Sequence, residues 1–339
     1  MTRLKAVQVR FPGGPFEWVE DALPVPGPGE VRVRVEAAGV CGTDALLLSG
    51  AFPGTVFPLV PGHEVAGRVD ALGEGVTGRA VGDRVAVGWF GGECGRCPAC
   101  RAGDLMMCPD LVVPGRTVRG GYAGHVVVPE RGLARVPDGL EATEAAPMGC
   151  AGVTAFNAVR HSGAGPGDLV AVLGLGGVGH LAVQYAVRSG LRTVVVARGA
   201  EKGLLAVRLG AHGYIDADTG TAADGLRRLG GARAVIATAA SAAAAGALLP
   251  GLAPRGRLVV VGVDAEPLAV PTGALVATGQ TIVGVPAGTA ADVEEAMRFA
   301  VLHGIRPLVE ALPLSRAAEA FDTMLAGRAR LRVVLTPEA

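Results

Sequence analysis

The sequence predicts an α/β protein of two domains, one β-rich and one built on a doubly wound parallel sheet. Three observations predict it. The 339 residues are about twice the ~150 typical of one domain. Residues 1–145 carry short valine-rich stretches between glycine and proline turns, the pattern of a β-rich domain. Beyond them, strand-like and helical stretches alternate, which implies parallel strands joined by helical crossovers.

Composition supports a folded core: 50% of residues are apolar and 18% are charged, which excludes a disordered chain. Lys+Arg and Asp+Glu are both 31, so bulk electrostatics offers nothing to a nucleic acid. In the second domain Leu169 to Leu173 reads as a buried strand, and an apolar helical pattern follows through Leu181, Val183, Tyr185, Ala186 and Val187. Strands are then expected at Thr193–Ala197, Gly213–Asp216, Ala232–Thr238 and Gly256–Gly262, with helices near 200–210, 221–229 and 241–252. A helix over Gly288–His303 and a final strand over Arg330–Leu335 complete the reading.

Two uncharged runs, between Arg233 and Arg255 and between Glu266 and Asp292, are long enough to span a bilayer. Pro250 and Pro254 break the first, and Pro267, Pro271 and Pro286 break the second, so both read as buried elements joined by turns. The first residues lack the apolar core of a signal peptide. A soluble, cytoplasmic protein with no membrane partner is expected.

In a reducing compartment closely spaced cysteines point to metal before disulfides. Cys94, Cys97, Cys100 and Cys108 form a C-x2-C-x2-C-x7-C run on a glycine- and proline-bent loop. Four thiolates can close around one zinc ion at ~2.3 Å, leaving no open position, so such an ion is structural. An iron–sulfur cluster is the rival reading, but its usual spacing places the last cysteine sooner. Cys41 and Cys150 stand apart, each beside glycine, and between them lies Pro61-Gly62-His63-Glu64. Two thiolates and one imidazole leave a fourth position open, the pattern of a catalytic zinc.

Gly174-Leu175-Gly176-Gly177-Val178-Gly179 joins the strand ending at Leu173 to the following helix, as a dinucleotide-binding (Rossmann) fingerprint requires. Gly174 makes the turn, Gly176 admits the pyrophosphate and Gly179 lets helix and strand pack closely. About eighteen residues further on, where NAD-binding units carry an acid for the ribose hydroxyl, the sequence has Ala197-Arg198. Arg198, aided by Lys202, suits a 2′-phosphate; NADP(H) is therefore expected over NAD(H), with Glu201 a nearby acid that complicates the reading.

Gly62-His63-Glu64-x2-Gly67-x5-Gly73-x2-Val76 resembles the zinc signature of medium-chain alcohol dehydrogenases in every specified position. The stretches from Gly176 to Ala186 and from Ile282 to Thr289 resemble the NADP-dependent cinnamyl alcohol dehydrogenase-like branch. The resemblance implies a GroES-like catalytic domain over 1–147 and 286–339, with a structural zinc lobe at about 91–110, split around a Rossmann domain over 148–285. It implies Cys41, His63 and Cys150 as catalytic zinc ligands and Glu64 as a glutamate that approaches the metal. Thr43 becomes the hydroxyl that takes the alcohol proton, and Asp44 the carboxylate that orients the histidine ligand. Arg332 is implied at the cofactor pyrophosphate, with a solvated edge arginine as its alternative. Gly177 and Val178 complete the cofactor turn.

Two positions depart from the family pattern. Leu46 replaces a histidine that many relatives use to pass the proton outward, and Gly42 replaces a basic residue. His125, His161, His180, His212 and His303 match no ligand position. Leu46, Trp89 and Phe90 are read as an apolar substrate pocket, with core packing the equal alternative for the two aromatics. The activity implied is hydride transfer between NADP(H) and an alcohol, aldehyde or ketone with an apolar or aromatic body, in a homo-oligomer. Reduction of a C=N or C=C bond with the same machinery is the second reading, prompted by Leu46. A nucleic-acid-binding zinc ribbon is excluded by the zero net charge and the full-length motif order.

Overall fold

A computed structural model describes residues 3–327 and 331–338. The chain divides into two compact units, Met1–Val153 with Ala287–Ala339, and Thr154–Pro286.

The first unit is built on a sheet that runs, among the described residues, Val309–Pro313, Arg332–Thr336, Glu30–Val40, Val65–Leu72, Arg84–Val87, Ala134–Arg135. His125–Pro129 also pairs with Glu30–Val40. Pairing is antiparallel except between Val309–Pro313 and Arg332–Thr336. The long strand Glu30–Val40 shows how sequence dictates placement. Val31, Val33 and Val35 point into the core and Arg32 and Arg34 away from it, the period of two expected of a sheet with one covered face. From Ala37 to Val40 every residue is buried, because here the strand enters the site that begins at Cys41. A two-stranded ribbon, Arg3–Gln8 with Glu17–Ala22, lies in the same unit.

In the second unit the parallel strands are ordered Gly213–Asp216, Arg192–Ala197, Leu169–Leu173, Ala232–Ala237, Leu252–Val260, Thr281–Gly284 among the described residues. The chain starts in the middle, winds to one edge and then crosses to the other. This reversal beside Leu169–Leu173 opens a crevice at the carboxyl ends of the strands, where such sheets bind ligands.

Three elements differ from the sequence reading. The helix expected over 241–252 stops at Ala247, and Pro250 sits in a separate short turn, since proline cannot continue the ladder. The next strand begins early, at Leu252, and is bulged where Arg255 takes φ 58° after Pro254. The last strand starts at Arg332, and Arg330 lies outside the described residues. The helix Ala290–His303 is capped by Thr289 and Asp292 at one end and by Gly304 at φ 68° at the other. Among the described residues no helix is long and apolar enough to cross a membrane.

Candidate metal centres and cofactor cavity

The first centre gathers residues far apart in sequence. The Sγ atoms of Cys41 and Cys150, a ring nitrogen of His63 and a carboxylate oxygen of Glu64 all lie within 4.8 Å of one another. Cys41 ends its strand and caps the helix Gly42–Leu48. His63 follows Gly62, whose φ of 101° suits glycine. Cys150 sits in a wide π-helical turn, Met148–Gly152, a local irregularity common at functional sites. The turn is pressed so close to Gly88 that a Cβ there would stand 1.7 Å from the Gly149 carbonyl oxygen.

Hydrogen bonds fix the donors. The carboxylate of Asp44 takes His63 Nδ1 at 2.9 Å and the backbone N–H of Cys41 at 3.0 Å, and Asp44 and His63 are both fully buried. His63 Nε2, equally buried, has no protein partner among the described residues. Contact with Cys150, and then His63, holds the Cys41 thiol well below its ordinary range against the cost of burial. Burial opposes a charged His63, but Asp44 and Cys41 outweigh it and lift the imidazole well above its usual value. Burial pushes the Glu64 carboxyl up to about 7 against the opposing Arg332 guanidinium, which donates to Glu64 Oε2. A cluster that favours a thiolate beside a raised imidazole, with Nε2 buried and unpartnered, favours positive charge at its centre, and the donor set of two sulfurs and one imidazole is that of zinc.

The second centre is the loop lobe. The four sulfurs of Cys94, Cys97, Cys100 and Cys108 also lie within 4.8 Å of one another, with Cys94 and Cys100 4.0 Å apart. A tetrahedron of ~2.3 Å zinc–sulfur bonds has edges of about 3.8 Å, so the spacing fits one ion. Backbone N–H groups of Arg96 and Cys97 bring the Cys94 thiol down to about 7, while burial and the neighbouring sulfurs push Cys100 up to about 12. Four sulfurs this crowded need a cation before all can ionise.

In the second unit the glycine turn has three distinct jobs. Gly174 takes φ 97°. A Cβ at Gly176 would meet nothing within 4 Å, whereas one at Gly179 would stand 2.1 Å from the Gly174 carbonyl oxygen. Openness at the former and contact at the latter are what pyrophosphate approach and helix–strand packing require. Gly174, Arg198 and Lys202 line a cavity of about 910 Å³; Gly176, Gly177, Val178 and Gly179 are not among its lining residues. Ser241, Ala243, Ala244 and Ala247 form another wall, which sequence reading missed for want of any charged or motif residue. Asp216, also missed, accepts the Gly199 and Asp218 N–H groups and so braces the turn that carries Arg198.

Thr43 and Leu46 are half-buried on one face of the helix Gly42–Leu48. The rings of Trp89 and His63 stand nearly perpendicular with centroids 5.5 Å apart, and Phe52 packs against Trp89 at 5.4 Å. Phe90 is buried at 3% exposure. Arg332 is found at 5% exposure against Glu64, neither solvated nor in the second unit's cavity. The pairing joins residues 268 positions apart and carries no local sequence signal.

Two family models match the chain: the alcohol dehydrogenase GroES-like domain over residues 27–138 and the zinc-binding dehydrogenase over 177–301. The alcohol dehydrogenase patD of Penicillium expansum is 44% identical over 317 residues, covering 94% of this chain and 93% of its own. An alcohol dehydrogenase of Geobacillus stearothermophilus is 39% identical over 334 residues, covering 98% and 99%. The structure of a cinnamyl alcohol dehydrogenase from Sorghum bicolor superposes with a TM-score of 0.91 at 30% identity, covering 99% of this chain and 98% of that one.

Proposed function

The chain belongs to the zinc-type medium-chain alcohol dehydrogenases, in their cinnamyl alcohol dehydrogenase-like branch, and on that premise we propose that it holds two zinc ions and moves hydride between NADP(H) and alcohols or aldehydes with an apolar or aromatic body. Alcohol–aldehyde oxidoreduction with zinc and a nicotinamide cofactor is the activity; the cofactor preference, the ion count and the substrate body are the proposal. The observation that carries it is His63, tied to Asp44 through Nδ1 and offering a buried, unpartnered Nε2 beside two cysteine sulfurs.

Zinc bound by Cys41, His63 and Cys150 supplies Lewis acidity toward the alcohol or carbonyl oxygen, and the nicotinamide supplies or accepts hydride. The Thr43 hydroxyl relays the alcohol proton, accepting it as it releases its own toward water, and the relay runs backward in the reverse direction. Asp44 keeps the proton of His63 on Nδ1, so that Nε2 stays a ligand. Trp89 and Leu46 wall the substrate space and keep water from it, while Phe90 is buried. Arrangement of the four sulfurs on their loop supports a closed structural site.

Arg198 and Lys202 in the cavity, Ala197 in place of an acid, and the engagement of Asp216 by backbone N–H groups support recognition of a 2′-phosphate. Gly174 and Gly176 to Gly179 receive the pyrophosphate at a helix start; Arg332 is held by Glu64 in the first unit, and its Nε has no protein partner among the described residues. A homo-oligomer agrees with the exposed outer strand Thr281–Gly284, and six free thiols suit a reducing cytoplasm. The alcohol dehydrogenase relatives do not favour reduction of a C=N or C=C bond.

The test is steady-state reduction of an aromatic aldehyde with each cofactor. NADPH should exceed NADH by about tenfold or more in kcat/KM, the worth of one charged hydrogen bond. Arg198→Ala should weaken NADPH alone. An equal loss for both cofactors would contradict the assignment.

A further inference from the structure

We propose that Tyr122 is a positioning residue of the first metal centre, holding the Asp44 carboxylate so that His63 can present only Nε2, and that Gly120-Gly121-Tyr122 clasps the segment delivering His63. The inference rests on the reading of Cys41, His63 and Cys150 as a zinc site.

Three donors divide the Asp44 carboxylate: Oδ1 takes His63 Nδ1 at 2.9 Å, and Oδ2 takes the Cys41 N–H at 3.0 Å and the Tyr122 O–H at 3.1 Å. Asp44, His63 and Tyr122 are each 0% exposed, so no solvent replaces a lost donor. Among the described residues Tyr122 is the only side chain bonded to Oδ2. With Oδ2 held from two directions the carboxylate cannot rotate about its axis, and the imidazole bonded to Oδ1 inherits that fixed direction. A carboxylate stripped of one buried donor has a shallower orientation minimum and is a weaker acceptor for the histidine.

The backbone makes the reach feasible. Gly120 N–H donates to the Val60 carbonyl at 2.8 Å, Gly121 N–H to Gly62 at 2.8 Å and Tyr122 N–H to Pro61 at 2.9 Å, a continuous clasp on the residues before His63. The approach is too close for side chains: a Cβ on Gly120 would stand 2.4 Å from the carbonyl oxygens of Pro61 and Gly62. One on Gly62 would stand 2.5 Å from the Tyr122 ring, which therefore packs directly against the residue preceding His63. Phe16 stacks near the ring with centroids 6.5 Å apart. Phenylalanine fills the same space, so the hydroxyl can be removed without the ring.

The experiment is zinc release from holoenzyme to a chromogenic chelator, in wild type, Tyr122→Phe and Asp44→Asn, with the first-centre zinc identified by its loss in Cys41→Ser. Tyr122→Phe should release that zinc about tenfold faster, at the low end for loss of a ligand's supporting hydrogen bond, while the four-cysteine zinc keeps its rate. The visible spectrum of cobalt placed in the first centre should change as well, a signature that loss of packing elsewhere would not move. Unchanged release in Tyr122→Phe beside faster release in Asp44→Asn overturns the role of Tyr122 alone. Unchanged release in both overturns the support of His63 by Asp44 and Tyr122 alike, whereas failure of Cys41→Ser to lose any zinc overturns the zinc reading itself. Equal acceleration at both centres marks a general loss of stability and also overturns the proposal. Should Tyr122→Phe not fold, wild-type sequence carrying 3-fluorotyrosine decides, because its more acidic hydroxyl is the stronger donor and the other tyrosines, Tyr185 and Tyr214, lie in the second unit. Slower first-centre release is then expected, and unchanged or faster release refutes the role.

Discussion

Gly39→Ala should disturb the first metal centre although the residue is neither a ligand nor a neighbour of one in sequence. Gly39 lies in the strand Glu30–Val40, where its N–H donates to the Glu64 carbonyl at 2.8 Å. A Cβ there would stand 1.9 Å from Glu64 Oε2 and 3.0 Å from Glu64 Cβ, so the carboxylate must retreat by about 1 Å to reach a tolerable contact. It has little room, for Glu64 is 0% exposed and Oε2 receives the Arg332 guanidinium, itself 5% exposed. Overpacking alone costs about 1–3 kcal/mol. If the retreat opens the ion pair, the penalty of a broken buried pair, about 3–5 kcal/mol, takes over. We therefore expect a loss of at least ~2 kcal/mol. The assay is denaturant unfolding of zinc-loaded protein, followed by a signal of the first unit, for Gly39→Ala alone and in a Glu64→Ala background. In that background the added methyl has space, and its cost should drop below ~0.5 kcal/mol, a coupling expected only of residues in contact. Equal costs in both backgrounds, or a cost under ~0.5 kcal/mol in the first, would refute the reasoning.

Elemental analysis should find two zincs per chain; Cys41→Ser should lose one and the activity while staying folded, whereas Cys94→Ser should chiefly lower stability, because structural zinc is coupled to folding. Thr43→Val, nearly isosteric, should lower turnover by ~10²-fold or more, and near-normal turnover with hydride transfer rate-limiting would remove Thr43 from the proton path. His125 is held below its ordinary pKa by burial, against the pull of Asp70 3.2 Å away. Its neutral form is therefore favoured by the fold, and that stability is present above the unfolded value of ~6.5 and lost as pH falls below it. Relative to His125→Gln, wild type should weaken between pH 7.5 and 5.5 in denaturant unfolding; parallel pH curves would show that His125 does not contribute.

Local chemistry was what the sequence could express. Cysteine spacing, the His63-Glu64 turn and the glycine run each announce themselves within a few residues, and alternation in Glu30–Val40 shows which face is buried. What stayed hidden depends on contacts between distant segments. Tyr122 is one aromatic in a valine-rich region until the fold carries its hydroxyl to Asp44, 78 positions away. Ala242–Ala247 has no polar signature, yet Ala243, Ala244 and Ala247 leave room for the cavity they line. The helix Thr272–Thr278 and the strand Thr281–Gly284 were illegible for another reason. Neither buries a residue fully, so neither carries the apolar period from which elements are read.

Arg332 shows how charge balance settles a position that pattern leaves open. A cationic side chain in the middle of a final strand reads as an edge residue or an anion ligand, and both readings place it at the surface. The centre it joins gathers two cysteine sulfurs, Asp44 and Glu64 within one buried cluster. Two thiolates and two carboxylates carry four negative charges, and one divalent ion offsets only two of them. Repulsion of that size in a water-poor interior would otherwise be relieved by protonation, and burial, with a smaller push from Cys41, already raises Glu64 to about 7. A guanidinium donating to Glu64 reduces the excess without occupying a ligand position, and arginine keeps its charge at any relevant pH where lysine buried here would tend to lose it. The arginine thus belongs to the electrostatics of the metal centre, donating to Glu64 and buried with it.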